Sequence, residues 1–231
     1  MADNDNIVVA TAERIFADLA DPQTVIHSKD ASWRAPLWQA LGDAGLPLSW
    51  VPENCNGSGA SLADGFGVLN AAGRAGLALP LAETMLAGWL LSQANIAAPS
   101  DAMTIAPVLP RDCVALDDDG TLTGTVRGIP FASDARHIAV IGNGANGSAI
   151  ALVATTDCRI TPGLNLASDA SDTVIFENVR PLAIEPAPKD FDATALLLMG
   201  GVARSLQIAG ALESMLEISV GYANERVAFE K

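Results

Sequence analysis

The amino-acid sequence predicts an α+β protein built from three segments. We expect an all-α N-terminal domain at residues 1–100, a middle antiparallel β-barrel or sandwich at 101–188, and a long C-terminal helix at 189–231 that starts an incomplete helical bundle. Apolar residues recur every three or four positions in the two outer segments, as they do on amphipathic helices. The middle segment instead contains short runs rich in valine, isoleucine and threonine, separated by turn residues.

The N-terminal segment carries four helical patterns. Ile7–Leu19 places its apolar residues on one helical face. A second helix is predicted over Trp33–Ala44, with Ser32 as its N-cap and Pro36 tolerated in the first turn. After a loop rich in glycine and asparagine, two further helices are predicted at Leu62–Ala75 and Leu81–Ile96.

The middle segment changes to strand-like runs of four to eight residues. Turn-forming residues recur between these runs, and strands at such spacing are typical of a small antiparallel barrel or sandwich. The strands are predicted at Thr121–Val126, His137–Ile141, Ala149–Ala154 and Thr173–Phe176.

Two glycine-containing sites in the middle segment have alternative interpretations. Gly142–Gly147 matches the G-x-G-x-x-G pattern of dinucleotide-binding proteins, which would make the chain an NAD-binding module. We favour a hairpin turn, because the following residues read as a return strand and only a helix directly after Gly147 would fit the fingerprint. Asp117–Gly120 could suggest calcium, but Asp-Gly between two strands favours an ordinary turn.

The third segment predicts one continuous helix of about 38 residues, or roughly 55 Å. Its main apolar stripe steps by three or four residues from Leu198 to Val227. A second apolar flank predicts burial on more than one side, and therefore a bundle or an oligomer. The second flank comprises Leu197, Ile208, Met215 and Ile218.

Composition excludes several classes of protein. A net charge of −14 with 13 scattered lysines and arginines argues against a nucleic-acid partner. Three widely spaced cysteines form neither a disulfide framework nor a C-x-x-C pair. With only His27 and His137 as histidines, the sequence offers no metal cluster and no catalytic residue that we can name. An acidic N-terminus and the lack of a long uninterrupted apolar run predict a soluble, cytoplasmic protein.

Several motifs, taken in order, resemble the acyl-CoA dehydrogenase family. Leu37–Leu46, Trp50–Gly59 and Ala71–Pro80 resemble the helix, V-P-E…G-x-G loop and Gly-Arg segment of that family's N-terminal domain. The order of helices, β-barrel and helices is also the family's order. The last helix resembles the family's R…G…Y…R-x-x-F run through Arg204, Gly210, Tyr222 and Arg226–Phe229.

The resemblance implies an oxidoreductase of fatty acid metabolism, a flavoprotein in which FAD drives the α,β-dehydrogenation of an acyl-CoA thioester. It further implies an electron-transferring flavoprotein as electron acceptor and a homo- or hetero-oligomer, dimer or tetramer. In the family a glutamate removes the α-proton while the β-hydrogen leaves as hydride. That glutamate would lie beyond Lys231, so none of the carboxylates present inherits its role and the chain alone is expected to be inactive.

The resemblance also implies where flavin contacts would fall. They would come from the backbone of Ile129, Pro130, Phe131 and Ala132, and from Arg226 and Phe229. The arginine of the R-x-x-F motif reaches the FAD pyrophosphate of an adjacent subunit in the family, which a guanidinium suits. The alternative for Arg226 is a solvated arginine near a helix C-terminus.

The sequence departs from the family's flavin-lining patterns at Thr104–Pro110 and at Gly124–Phe131. The first stretch is shortened, and the second lacks the usual aromatic residue at its position, although Phe131 is close by. Such departures resemble the degenerate subunits of two-gene dehydrogenases. The alternative function is therefore a non-catalytic structural partner subunit of a hetero-oligomeric acyl-CoA dehydrogenase.

Overall fold

A computed structural model describes residues 6–21, 25 and 31–226. Two predicted features, His27 and the flavin contact Phe229, lie outside these residues. The N-terminal helices agree closely with the predicted ones, and two short 3-10 helices, Leu46–Leu48 and Glu53–Cys55, shape the loop between the second and third. The helices are α1 (Ile7–Leu19), α2 (Arg34–Asp43), α3 (Leu62–Ala75) and α4 (Leu81–Gln93).

The start of α2 differs from the expected one. The helix begins at Arg34, with Trp33 rather than Ser32 in the N-cap position and no side-chain cap, so the predicted cap is wrong by one residue. Pro36 falls in the first turn, where its missing N–H has no intrahelical partner to lose. By contrast, α3 begins with a capping box in which Ser61 and Asp64 bond each other's backbone N–H.

The tryptophan of the V-P-E loop fastens that loop to α4. The indole N–H of Trp50 donates to the carbonyl of Met85 at 2.8 Å. Its ring meets Phe66 edge-on, with centroids 5.7 Å apart. Trp50 is buried, so the hydrogen bond satisfies a donor that would otherwise be costly to bury.

Eight strands form one mostly antiparallel sheet among the described residues. Hydrogen-bonded neighbours follow the order β6-β7-β3-β2-β4-β5-β8, and β1 pairs with β4. The antiparallel prediction therefore holds for most pairs, but β1 and β2 both run parallel to β4. The strands are β1 (Met103–Ala106), β2 (Val114–Leu116), β3 (Leu122–Pro130), β4 (His137–Gly144), β5 (Gly147–Ala154), β6 (Arg159–Thr161), β7 (Ser171–Val179) and β8 (Ala183–Pro186).

Strand β4 is buried on both faces. Ile138 and Val140 belong to a core enclosed by the sheet, whereas Ala139 and Ile141 join the core shared with the helices. This explains why β4 reads as a continuous apolar run rather than an alternating one. The strand thus links the core enclosed by the sheet to the helical layer.

Both glycine-containing sites form turns between strands. Gly144 pairs with Gly147 across a two-residue hairpin that joins β4 to β5, and no helix follows Gly147. The backbone N–H of Gly120 donates to the carbonyl of Asp117 in the turn between β2 and β3. The turn interpretation is confirmed at both places, and the dinucleotide fingerprint is wrong.

The last helix, α5 (Ala193–Glu225), has 33 residues, with Asp192 as its N-cap. It packs on α3 where Gly73 and Gly210 lie. A β-carbon on either glycine would overlap the backbone of the opposite helix, at Gln207 and Asn70 respectively. The two helices therefore approach closely because neither has a side chain at the crossing.

Most of the apolar surface of α5 faces away from the described residues. The packed line runs through Leu196, Ala203 and Gly210, while much of the predicted stripe is exposed. By length and composition alone α5 could cross a membrane, although the core helix of a soluble protein passes the same test. The exposed residues are Leu198, Val202, Ile208, Leu212, Met215, Leu216, Ile218, Val220 and Tyr222.

Candidate functional site

A cleft of about 330 Å³ lies where the helices meet the sheet. Helix α4 and helix α5 form two of its sides, and the loop after β1 and the end of β3 form the others. Its lining is mostly apolar, which is typical of sites that bind small organic molecules. The lining residues are Glu83, Leu86, Ile105, Pro107, Val108, Leu109, Gly128, Pro130, Leu196, Leu197, Gly200, Gly201 and Arg204.

One ion pair crosses this apolar cleft. A guanidinium nitrogen of Arg204, on α5, donates to Oε1 of Glu83, on α4. The Glu83 side chain is 2% exposed, whereas that of Arg204 is 51% exposed. Burying a carboxylate is costly unless it is paired. The guanidinium of Arg204 therefore offsets part of the cost of burying Glu83.

The second carboxylate oxygen of Glu83 is buried without a partner. No donor among the described residues reaches Oε2. Arg204 is further held by its own helix, since its other terminal nitrogen donates to Gln207 at 2.7 Å. The cleft therefore contains a desolvated hydrogen-bond acceptor beside a guanidinium that still has N–H groups to donate.

A glycine pair keeps the α5 side of the cleft open. Gly200 and Gly201 both line it, and a β-carbon on either would meet no atom within 4 Å. Glycine inside a helix costs about 1 kcal/mol relative to alanine. Larger side chains on this face would project into the cleft, so the pair leaves room for a ligand.

The predicted flavin-contact segment forms part of the opposite wall. Pro130 lines the cleft, but Ile129 and Ala132 are buried in the barrel core. Phe131 is also buried, with a positive φ of 53°, and does not line the cleft. Contact with a flavin through this backbone stays a prediction.

Internal hydrogen bonds fix the conformation of that wall. The Thr104 hydroxyl donates to the Pro130 carbonyl at 2.6 Å. Both the N–H and the hydroxyl of Ser133 donate to the buried carboxylate of Asp172, at 2.8 and 2.9 Å. These hydrogen bonds hold the wall from within the protein.

Arg226 lies far from the cleft, at the C-cap of α5. It follows Arg204 by 22 positions, so α5 carries it about 33 Å further along. It is exposed, with its guanidinium 6.0 Å from the centre of the Tyr222 ring. Arg226 therefore cannot contact the part of a ligand that lies in the cleft of its own chain.

Other candidate chemistry is absent from the part of the chain that the structure describes. There, no group of three or more histidine, cysteine or acidic residues could hold a metal ion. All three cysteines are free. Burial raises the pKa of the Cys158 thiol to about 12, so this thiol is not a nucleophile at neutral pH.

The fold is that of the acyl-CoA dehydrogenases, as comparison with solved structures shows. No family profile and no curated protein matches the sequence.

Three solved structures illustrate the similarity. A variant of the Tcur3481-Tcur3483 steroid ACAD is 24% identical, with a TM-score of 0.75 over 96% of this chain and 67% of its own. The ChsE4-ChsE5 complex from Mycobacterium tuberculosis is 20% identical, with a TM-score of 0.80 over 100% of this chain and 70% of its own. Butyryl-CoA dehydrogenase from Megasphaera elsdenii is 18% identical, with a TM-score of 0.76 over 100% of this chain and 72% of its own.

FAD occurs in structures with this fold, including an acyl-CoA dehydrogenase from Bacillus anthracis that is 16% identical. In the present chain, Gly128 has no side chain and Pro130 offers only its ring, so this part of the wall is apolar. Such a wall fits one face of a flavin ring. Because the Ser133 donors are bonded to Asp172, the fit rests on apolar and backbone contact.

The Glu83–Arg204 pair was not predicted as a site from the sequence. In the sequence, Arg204 stands out only as a position of the R…G…Y…R-x-x-F run, and Glu83 does not stand out. The two residues are 121 positions apart, so no local pattern joins them. The signal that could have suggested them is a lone carboxylate inside an otherwise apolar helix, which needs a partner.

Proposed function

We propose that this chain is a subunit of an acyl-CoA dehydrogenase-type flavoprotein and that its cleft receives the acyl group of a thioester. The observation that carries the proposal is the position of the cleft, between α4, α5 and the predicted flavin-contact wall. An apolar cleft at this junction suits a hydrocarbon chain, whose transfer from water is favourable.

The residues of the cleft have distinct roles in this proposal. Gly200 and Gly201 admit the acyl chain, and Leu86, Ile105 and Leu196 exclude water from it. Gly128 and Pro130 would hold one face of FAD, which supplies a hydride acceptor when bound. Water exclusion strengthens electrostatic interactions inside such a site.

The described residues do not supply the base for α-proton removal. Glu83 is the only carboxylate lining the cleft among them, and its Oε1 is held by Arg204. We therefore assign no proton-transfer role to Glu83. Turnover then requires a carboxylate that the described cleft lining does not supply, in line with the expected inactivity of this chain alone.

Assembly with further protein is part of the proposal. The exposed apolar surface of α5 favours a helical partner, since such surface is unfavourable in water. The similarity to a ChsE4-ChsE5 complex supports an oligomer, and Arg226 would reach the FAD of an adjacent subunit. The proposal includes domain limits near residues 100 and 188. It also includes electron transfer to an electron-transferring flavoprotein and a cytoplasmic location.

A second candidate is a structural partner subunit that binds no flavin by itself. The ion pair inside the cleft and the internal bonding of Ser133 favour it, because both use polar groups that a cofactor or thioester could otherwise contact. The two candidates differ in where flavin is held. In the second candidate, the partner subunit holds the FAD of the complex and the cleft of this chain does not contact it. Gly128 substitutions would then not release the flavin.

The experiment that tests the first proposal compares two helical glycine positions. Gly201→Leu fills the cleft, whereas Gly42→Leu places the same side chain in open space on α2, away from the cleft and from α5. In the assembled protein we expect acyl-CoA binding to weaken more than tenfold in Gly201→Leu and to be unchanged in Gly42→Leu. Equal effects of the two variants would contradict the proposed acyl cleft.

A further inference from the structure

We infer that the cleft selects a ligand whose apolar body carries an alcohol hydroxyl, and that Glu83 accepts the hydroxyl's hydrogen bond at Oε2. The inference deepens the proposed function, on which it rests for the identity of the cleft as an acyl site. The ligand class is thus a hydroxylated acyl group or a similar apolar alcohol.

The first observation is the unpartnered oxygen of Glu83. The residue is 1% exposed, it lines the cleft, and no described donor reaches its Oε2. A buried acceptor without a hydrogen bond is costly, and the cost is larger for a charged group. A ligand that donates a hydrogen bond there would remove this cost on binding.

The second observation is the room in the cleft that Glu83 lines. The cleft measures about 330 Å³, roughly twice the ~150 Å³ of an apolar cavity that holds benzene. The glycine pair at 200–201 opens the facing side, where added β-carbons would meet nothing. The remaining lining is apolar, so a polar ligand without a hydrocarbon body would gain little there.

The geometry favours a hydroxyl over other donors. Glu83 and Arg204 are adjacent because they bond each other, and Arg204 retains N–H groups beyond its bonds to Glu83 and Gln207. One hydroxyl can donate to Glu83 and accept from Arg204 with a single oxygen. A secondary amide in the trans form holds its N–H and C=O on opposite sides, so it cannot serve both neighbours at once. An ammonium group would be repelled by the guanidinium.

The test compares two probes on the complete, unaltered protein. 1-Octanol and its methyl ether share the octyl chain and the oxygen atom; the ether replaces the hydroxyl hydrogen with a methyl group, so only the alcohol donates. A hydrogen bond to a charged acceptor predicts that octanol binds about tenfold tighter than the ether in calorimetric titrations. Equal affinities, or no binding of either probe, would overturn the inference.

Two variants locate the selectivity. Glu83→Gln should reduce the tenfold preference to about twofold or less, because the acceptor loses its charge. Leu86→Ala, on the same helix and the same wall, should weaken both probes to a similar extent and keep their ratio. A preference that survives in Glu83→Gln would place the acceptor elsewhere and contradict the inference.

The outcomes separate this inference from the proposed function. Alcohol selectivity needs neither flavin nor turnover. A protein that prefers octanol but never binds acyl-CoA would retain the Glu83 site and lose the proposed function. A protein that binds acyl-CoA in the cleft but ignores the hydroxyl would do the reverse.

Discussion

Glu83 on α4 and Arg204 on α5 form one ion pair that joins the N-terminal helices to the C-terminal helix at the edge of the cleft. The carboxylate is almost completely buried and the guanidinium is half exposed. The pair thus fixes the distance between two walls of the cleft. Its loss affects stability and ligand binding together.

Removing the cation should be more harmful than removing both charges. Arg204→Met leaves the Glu83 carboxylate buried without its partner, and we expect a loss of about 1–3 kcal/mol because water replaces the half-exposed guanidinium only in part. Adding Glu83→Gln to that variant should restore most of the loss. The measurement is the free energy of unfolding in urea.

A matched control for the ion pair is Arg159→Met. Arg159 and Glu177 form a pair in which both side chains are about two-thirds exposed, at 64% and 65%. Exposed pairs contribute at most about 1 kcal/mol. If Arg204→Met is no more destabilising than Arg159→Met, the cleft pair does not hold the two helices.

Helix crossing at Gly210 should tolerate no side chain. Gly210→Ala would push a methyl group into the backbone of α3 at Asn70, and overpacking of this kind costs about 1–3 kcal/mol. Gly221→Ala, on the same helix in open space, should instead stabilise by up to about 1 kcal/mol through helix propensity. Thermal unfolding of the two variants tests the crossing. Equal melting temperatures would refute the close approach.

The capping box of α3 should make stability depend on acid pH. The Ser61 hydroxyl, which donates to Asp64 at 2.8 Å, and then the Ser61 N–H lower the pKa of Asp64 below 3.8. A lowered folded-state pKa gives stability that is present above about pH 4 and is lost as the pH falls through the folded value. Asp64→Asn should therefore lose less stability than the unaltered protein between pH 5 and pH 3. Parallel melting-temperature profiles of the two proteins over this range would argue against the capping contribution.

The three thiols should differ in reactivity. Cys113 is exposed, Cys55 is buried, and the Cys158 thiol has a pKa raised to about 12 by burial and, less strongly, by the charge of Asp157. At pH 8 about one Cys158 in ten thousand is a thiolate, which is the reactive form. We expect Ellman's reagent to modify one thiol rapidly in the native protein and three in denaturant. Rapid modification of a remaining thiol in the native Cys113→Ser variant would contradict this order of reactivity.

Local patterns in the sequence predicted most of the secondary structure. The periodicity of Ile7–Leu19 and of Leu62–Ala75 placed α1 and α3 at their observed limits. Predicted strands matched β3, β4, β5 and β7, because each is long enough to show a β-rich run between turns. The turns at Gly120 and Gly147 followed from residue types that favour them.

The remaining features depend on contacts between distant residues. Strands β1 and β2 have only four and three residues, which are too few to show an alternating pattern. Their pairing with β4 is parallel, so no connecting hairpin turn in the sequence indicates it. Likewise, Phe131 lies near the predicted flavin wall in sequence, yet its positive φ and burial direct it into the protein. The Glu83–Arg204 pair arises only when α4 and α5 come together.

The most direct test of the proposed function is anaerobic addition of an acyl-CoA thioester to this chain purified with the subunits that accompany it. We predict that the preparation contains FAD and that the visible flavin absorbance is bleached by the thioester. The same bleaching should be lost when Gly201→Leu fills the cleft and retained in Gly42→Leu, whose side chain lies in open space on α2. A preparation that never contains FAD, or flavin that no acyl-CoA thioester bleaches, would contradict the proposal.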